Sequence, residues 1–187
     1  MALRLPLWLK LAISWAAGLA TVGVVALGVV LFGFFDTTAS TPHPALIAWA
    51  THMTMQKAVR RNAALMAPAP KFTQADVQRG FVIYDAHCAL CHGGPGDARA
   101  EWISGMTPAP PFLLDTARQW TPNQLYWIVR HGVRMTGMPA WDQTLTESDV
   151  WSVVAFLEAL PGWTAADYSR ARATAGSAQA APTKPAT

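Results

Sequence analysis

Between Leu11 and Phe35 the chain carries no charged residue. As a helix these 25 residues extend roughly 37 Å, enough to cross a hydrocarbon core with some tilt. Arg4 and Lys10 precede the run and Asp36 follows it. That order of charge places residues 1–10 in the cytoplasm and the rest of the chain outside, in the periplasm of a bacterium. A cleaved signal peptide is the competing reading, with Thr37-Thr38-Ala39 as a passable cleavage site. Signal h-regions usually run about 7–15 residues, so residues 11–35 are read as a retained single-pass transmembrane anchor. Gly18, Gly23, Gly28 and Gly33 recur every five residues. Each step turns the helix by about 140°, so they form no GxxxG dimer seam.

Charge is distributed unevenly along the remainder. Residues 1–71 hold six Lys/Arg and one acid, residues 72–162 five Arg and nine acids, and residues 163–187 three bases and one acid. A nucleic-acid binder concentrates basic residues on its folded domain. Here the expected folded domain is acidic, and no nucleic-acid partner is expected.

Residues 36–71 read as a linker. Within it a helix is expected from Pro44 to about Leu65, with Pro44 at its first position and Leu46, Trp49 and Met53 on one side. Lys57, Arg60 and Arg61 near its end suit the helix dipole. It serves either as a docking helix for a partner or lipid surface, or as a spacer packed on its own domain. Ala67-Pro68-Ala69-Pro70 then makes a stiff hinge.

Residues 72–162 read as one helical domain. Val77, Phe81 and Tyr84 share a face, and Thr121-Pro122 opens a second helix running to about Arg130, with Leu125, Ile128 and Val129 inward. Thr146 with Asp149 starts a third, whose Val150, Val153, Val154 and Leu157 form an apolar stripe. No segment alternates as a strand. Residues 163–187, rich in Ala, Thr and Pro, read as a disordered tail.

The chain has two cysteines, in Cys88-Ala89-Leu90-Cys91-His92. This is the C-x-x-C-H pattern of covalent haem c attachment. Both thiols add to the two vinyl groups on one porphyrin edge, while the next residue's imidazole reaches the iron. One turn of helix presents all three. A thioredoxin-like C-x-x-C belongs near a βαβ pattern, which is missing, and a zinc site needs about four ligands, for which no second cluster exists. One covalent haem c on Cys88 and Cys91, with His92 as axial ligand, is the expectation.

A second axial ligand must come from downstream. Met106, Met135, Met138 and His131 are the candidates. Gly137-Met138-Pro139-Ala140-Trp141 sets a thioether in a Gly/Pro-bounded loop where backbone can approach a flat cofactor, which favours Met138, with Met135 next. Arg130, His131 and Arg134 flank that loop and are candidates for haem propionates or for plain solvated charge.

With these motifs in order, residues 72–162 resemble the class I cytochrome c family. The likeness rests on Gly80-Phe81, CALCHGGPG at 88–96, a Pro-rich loop, a middle helix, TGMPAW at 136–141 and a closing helix. It implies an all-α haem domain preceded by one transmembrane helix, with His92 and Met138 as axial ligands. It also implies a contact of Gly80-Phe81 with Trp151 where the first and last helices cross. A carbonyl of Pro110 or Pro111 is implied as acceptor for the imidazole's far nitrogen.

Together these features point to a non-enzymatic electron carrier of a periplasmic respiratory chain. Its expected partners are membrane-bound or periplasmic redox proteins: a terminal oxidase, a quinol–cytochrome c reductase or a dehydrogenase, which it serves either as a separate carrier or as a subunit of the complex. The acidic balance of residues 72–162 predicts a basic docking surface on a partner. The alternative is a haem-based gas sensor or haem enzyme whose distal site is open.

Overall fold

The computed structural model describes the backbone of residues 6–180 and the side chains of residues 6–175. The N-terminal expectation for residues 1–5 and the last part of the tail, 181–187, lie outside the described residues. The chain divides into two compact units, residues 1–41 and 42–187. Among the described residues there is no strand; Gly94 and Asp97 form one isolated bridge. The structure is all-helical, as expected.

The first unit holds helix α1 (Leu7–Leu31), 25 residues with a mean hydropathy of 2.0 over its most apolar window. It starts and stops four residues earlier than the charge-free run suggests. Pro6 opens it and Lys10 falls in its first turn, while Phe32 caps it and Gly33 turns out at φ +67°. The charge-free criterion reads composition, whereas the helix ends where the backbone turns.

The second unit begins with α2 (Ala45–Ala63), for which Pro44 is the cap rather than the first helical residue. Its buried residues, Val59 and Ala63, lie in its last turns, where it meets α6 (Pro122–His131). Asn123 at the start of α6 donates to the carbonyl of Ala67 at 2.9 Å and so ties down the hinge. The expected stripe of Leu46, Trp49 and Met53 is exposed. The C-terminal half of α2 is therefore a packed element of the domain.

The core is built on the crossing of α3 (Gln74–His87) and α7 (Glu147–Ala159). Both start with a reciprocal capping box, Thr73 with Asp76 and Thr146 with Asp149. Phe81, Tyr84, Val150, Val153, Val154, Phe156 and Leu157 fill the space between them and are buried. The close approach is made by Gly80, where a Cβ would stand 1.9 Å from the carbonyl oxygen of Ser152 and 2.9 Å from Phe156 Cβ. Trp151, the partner expected for Gly80-Phe81, instead stacks on Tyr126 with ring centroids 4.2 Å apart. It sits one residue round α7 from the side that faces α3, so α6 receives it.

The tail corrects the sequence reading most. Residues 163–187 were expected to be disordered, yet Ala165–Ala180 form α8. Thr164 caps it by accepting from the Asp167 amide at 3.2 Å. Trp163 stacks on Phe81 at 5.4 Å, and Tyr168 is buried. The face that packs is Tyr168, Ala171 and Ala175, and a face two-thirds alanine carries little hydropathy signal.

The candidate haem-attachment site

Helix α3 runs into the motif through a break at Cys88 (φ −112°) and restarts as the single turn α4 (Ala89–His92). The His92 amide donates to the Cys88 carbonyl at 2.9 Å, and the Gly93 amide to Ala89 at 2.7 Å. Cys88, Cys91 and His92 therefore come from one short helical turn, all half-buried, and the two cysteines are not joined in a disulfide. Burial pushes the Cys88 thiol up to about 12.

His92 is oriented by the Pro-rich loop. Its Nδ1 lies 2.8 Å from the carbonyl oxygen of Pro111. A carbonyl only accepts, so Nδ1 carries the proton and Nε2 the lone pair. Burial lowers the imidazole's pKa, against the Pro111 bond, which favours the neutral form needed for a metal ligand. Of the two prolines implied as acceptors, Pro111 takes this role. The carbonyl of Pro110 is occupied by Arg99 Nη1 at 2.6 Å, and the same guanidinium lies 4.3 Å above the Phe112 ring.

The downstream loop turns off the end of α6 at Gly132 (φ +63°), where a Cβ would stand 2.5 Å from the Pro139 carbonyl. Only glycine fits both that conformation and that contact. Trp141 and Asp142 amides donate to the Arg130 carbonyl at 3.0 and 3.1 Å. Inside the loop, the Met138 amide donates to Thr136 Oγ1 at 3.1 Å and Thr136 Oγ1 to the Val133 carbonyl at 2.7 Å.

The candidate ligands separate by placement. Met138 is half-buried against the hydrophobic core, and Met106 is half-buried with its methyl against Gly137. Met135 is 76% exposed and sits at φ 62°. His131 is exposed and packs on Trp127 at 4.1 Å. Arg130 bonds the Tyr126 hydroxyl at 2.5 Å, and Arg134 is exposed. Sequence reasoning gave no role to Arg99, and none to Thr136 beyond its place in TGMPAW; both orient the candidate ligand segments through polar contacts. Among the described residues no three His, Cys, Asp or Glu gather as a separate metal site.

Two thiols beside a neutral imidazole whose lone-pair nitrogen is fixed by a carbonyl, with a thioether loop anchored downstream, form a donor set that suits a haem iron and its porphyrin vinyls. Residues 75–157 match the family model for cytochrome c oxidase, cbb3-type, subunit III. Residues 75–157 thus resemble a class I c-type cytochrome domain, of the kind that carries covalently attached haem c in electron transport. The chain is also similar to cytochrome c6 of Thermosynechococcus vestitus (strain NIES-2133 / IAM M-273 / BP-1), 25% identical over 103 residues that cover 54% of this chain and 87% of that protein.

Proposed function

We propose that this protein is a membrane-anchored mono-haem c-type cytochrome that shuttles single electrons in a periplasmic respiratory chain. Cys88 and Cys91 would hold the haem covalently, and His92 and Met138 would ligate its iron. When bound, the group supplies a one-electron iron couple, and Met–His ligation sets it at a raised potential. The observation that carries the reading is the hydrogen bond from His92 Nδ1 to Pro111, which leaves Nε2 free for the iron.

The residues divide the work. Pro111 holds the imidazole in one orientation, and Thr136 holds the backbone of Met138. Tyr84 donates its hydroxyl to the Gly93 carbonyl at 2.7 Å and fixes the loop leaving the motif. With His92 and Met138 both holding the iron, the domain would pass electrons and leave no open position for a substrate at the metal. Helix α1 is the anchor, its N-terminus in the cytoplasm, and it raises the domain's effective concentration near membrane partners. The partner is a terminal oxidase, a quinol–cytochrome c reductase or a dehydrogenase. The subunit III match favours membership of, or delivery to, a membrane oxidase.

The test uses purified full-length protein in detergent. The wild type should keep its pigment through acidified acetone, C88S/C91S should lose it, and the ferrous protein should not bind carbon monoxide. M138A should open the iron to carbon monoxide and lower the reduction potential. Ready carbon monoxide binding by the wild type would overturn the carrier reading in favour of a sensor.

A further inference from the structure

Arg172, in the part of the chain beyond the family match, bridges both flanks of the C-x-x-C-H motif. Its Nε donates to Asp85 Oδ1 at 3.0 Å, three residues before Cys88, and its Nη2 donates to Asp97 Oδ2 at 2.6 Å, five residues after His92. Tyr168, one turn earlier in α8, donates its hydroxyl to Asp85 at 3.0 Å and is 1% exposed. Its ring covers Gly94, where a Cβ would stand 2.7 Å from it, and Ala165 sits where a Cβ of Gly96 would point.

We propose that Trp163–Arg172 form a strap over the haem-attachment loop, and that Tyr168 and Arg172 are positioning residues for His92. The inference rests on His92 being the axial ligand, as proposed above. The path from strap to imidazole is short. Asp97 and Gly94 close the loop by exchanging backbone bonds of 3.0 and 2.9 Å. Two residues on, Arg99 ties it to the Pro110 carbonyl, and the adjacent Pro111 carbonyl accepts from His92.

Stability alone does not account for this arrangement. Trp163 and Tyr168 already supply the apolar contacts that dock α8 on Phe81. A partly exposed ion pair adds little stability, and ordering an arginine side chain costs entropy. What the arginine adds is a fixed separation between the two ends of the motif. The hydrogen bond on an axial imidazole's far nitrogen sets ring orientation and basicity, so holding that loop tunes the metal.

The experiment compares wild type, R172Q, R172K and Y168F as full-length holoprotein. It measures amide hydrogen exchange over residues 93–97, the reduction potential and the hyperfine-shifted His92 resonances. R172Q should raise exchange at Gly94 and Asp97 tenfold or more and shift both the potential and the resonances, with R172K intermediate. Y168F keeps the ring on Gly94, so it should fold even if R172Q does not, and should show the same changes on a smaller scale. Loop exchange within twofold of wild type would overturn the strap. A loosened loop with unmoved potential and resonances would reduce α8 to packing. A potential restored by R172K while the loop stays loose would assign the effect to charge at a distance, and likewise overturn the positioning role. Loss of the pigment to acidified acetone in the wild type would instead reject the haem reading itself.

Discussion

A methyl group at position 80 would stand 1.9 Å from a backbone oxygen, so α3 and α7 touch there through main chain alone. A backbone atom cannot rotate away as a side chain can, and G80A must push the two helices apart. We expect a loss of about 3 kcal/mol, at the upper end for overpacking, read as a lower denaturant midpoint with an unchanged slope. Thr136 offers a second test at this scale. T136V keeps the shape of the side chain but removes the bonds to Met138 and Val133. With Met138 as the ligand proposed above, a thioether-to-iron charge-transfer band of the ferric protein should then be lost at a lower pH than in the wild type, with folding stability little changed.

Among the elements, α7 shows how local chemistry and tertiary contact converge. Thr146 Oγ1 and Asp149 exchange capping bonds, and Arg79 of α3 donates to Asp149 at 2.9 and 2.6 Å. The Thr146 hydroxyl first, and Arg79 after it, hold the Asp149 carboxyl below its ordinary 3.8. A depressed carboxylate stabilises the fold above its unfolded-state value and loses that contribution as pH falls through the folded one. Stability should therefore decline on acidification below about pH 4, and D149N should flatten that part of the profile. T146A should cost about 1 kcal/mol at neutral pH. The Thr146–Asp149 cap was legible in the sequence, because a capping box is a contact between residues three apart. The cap of α8 has the same form at Thr164 and Asp167, but an alanine face hid the helix behind it.

For the molecule as a whole, folding changes what the charge count means. Residues 72–162 alone are acidic, yet the compact unit over residues 42–187 holds twelve Lys/Arg and ten Asp/Glu. Asp149 is paired with Arg79, and Asp85 and Asp97 with Arg172. Steering then depends on where charge remains exposed, such as Glu101 and Asp115 near the loop that orients His92. E101K/D115K should slow electron transfer to a basic partner at low salt by roughly tenfold, with the difference vanishing at high salt. A gap that persists at high salt would point to direct contact instead of steering.

Sequence alone determined the apolar helix, the helical domain, the caps of α6 and α7, and the thiol–imidazole motif. Each of these is written in neighbouring residues or in a single helical period. Tertiary structure decided that Pro111 and not Pro110 receives His92, that Ser152 and Phe156 rather than Trp151 meet Gly80, and that the tail folds back onto the motif. Those outcomes join residues 19, 72 and 75 positions apart, in the pairs His92–Pro111, Gly80–Ser152 and Arg172–Asp97. Their partners are selected by the packing of whole helices, and no local pattern records such a choice.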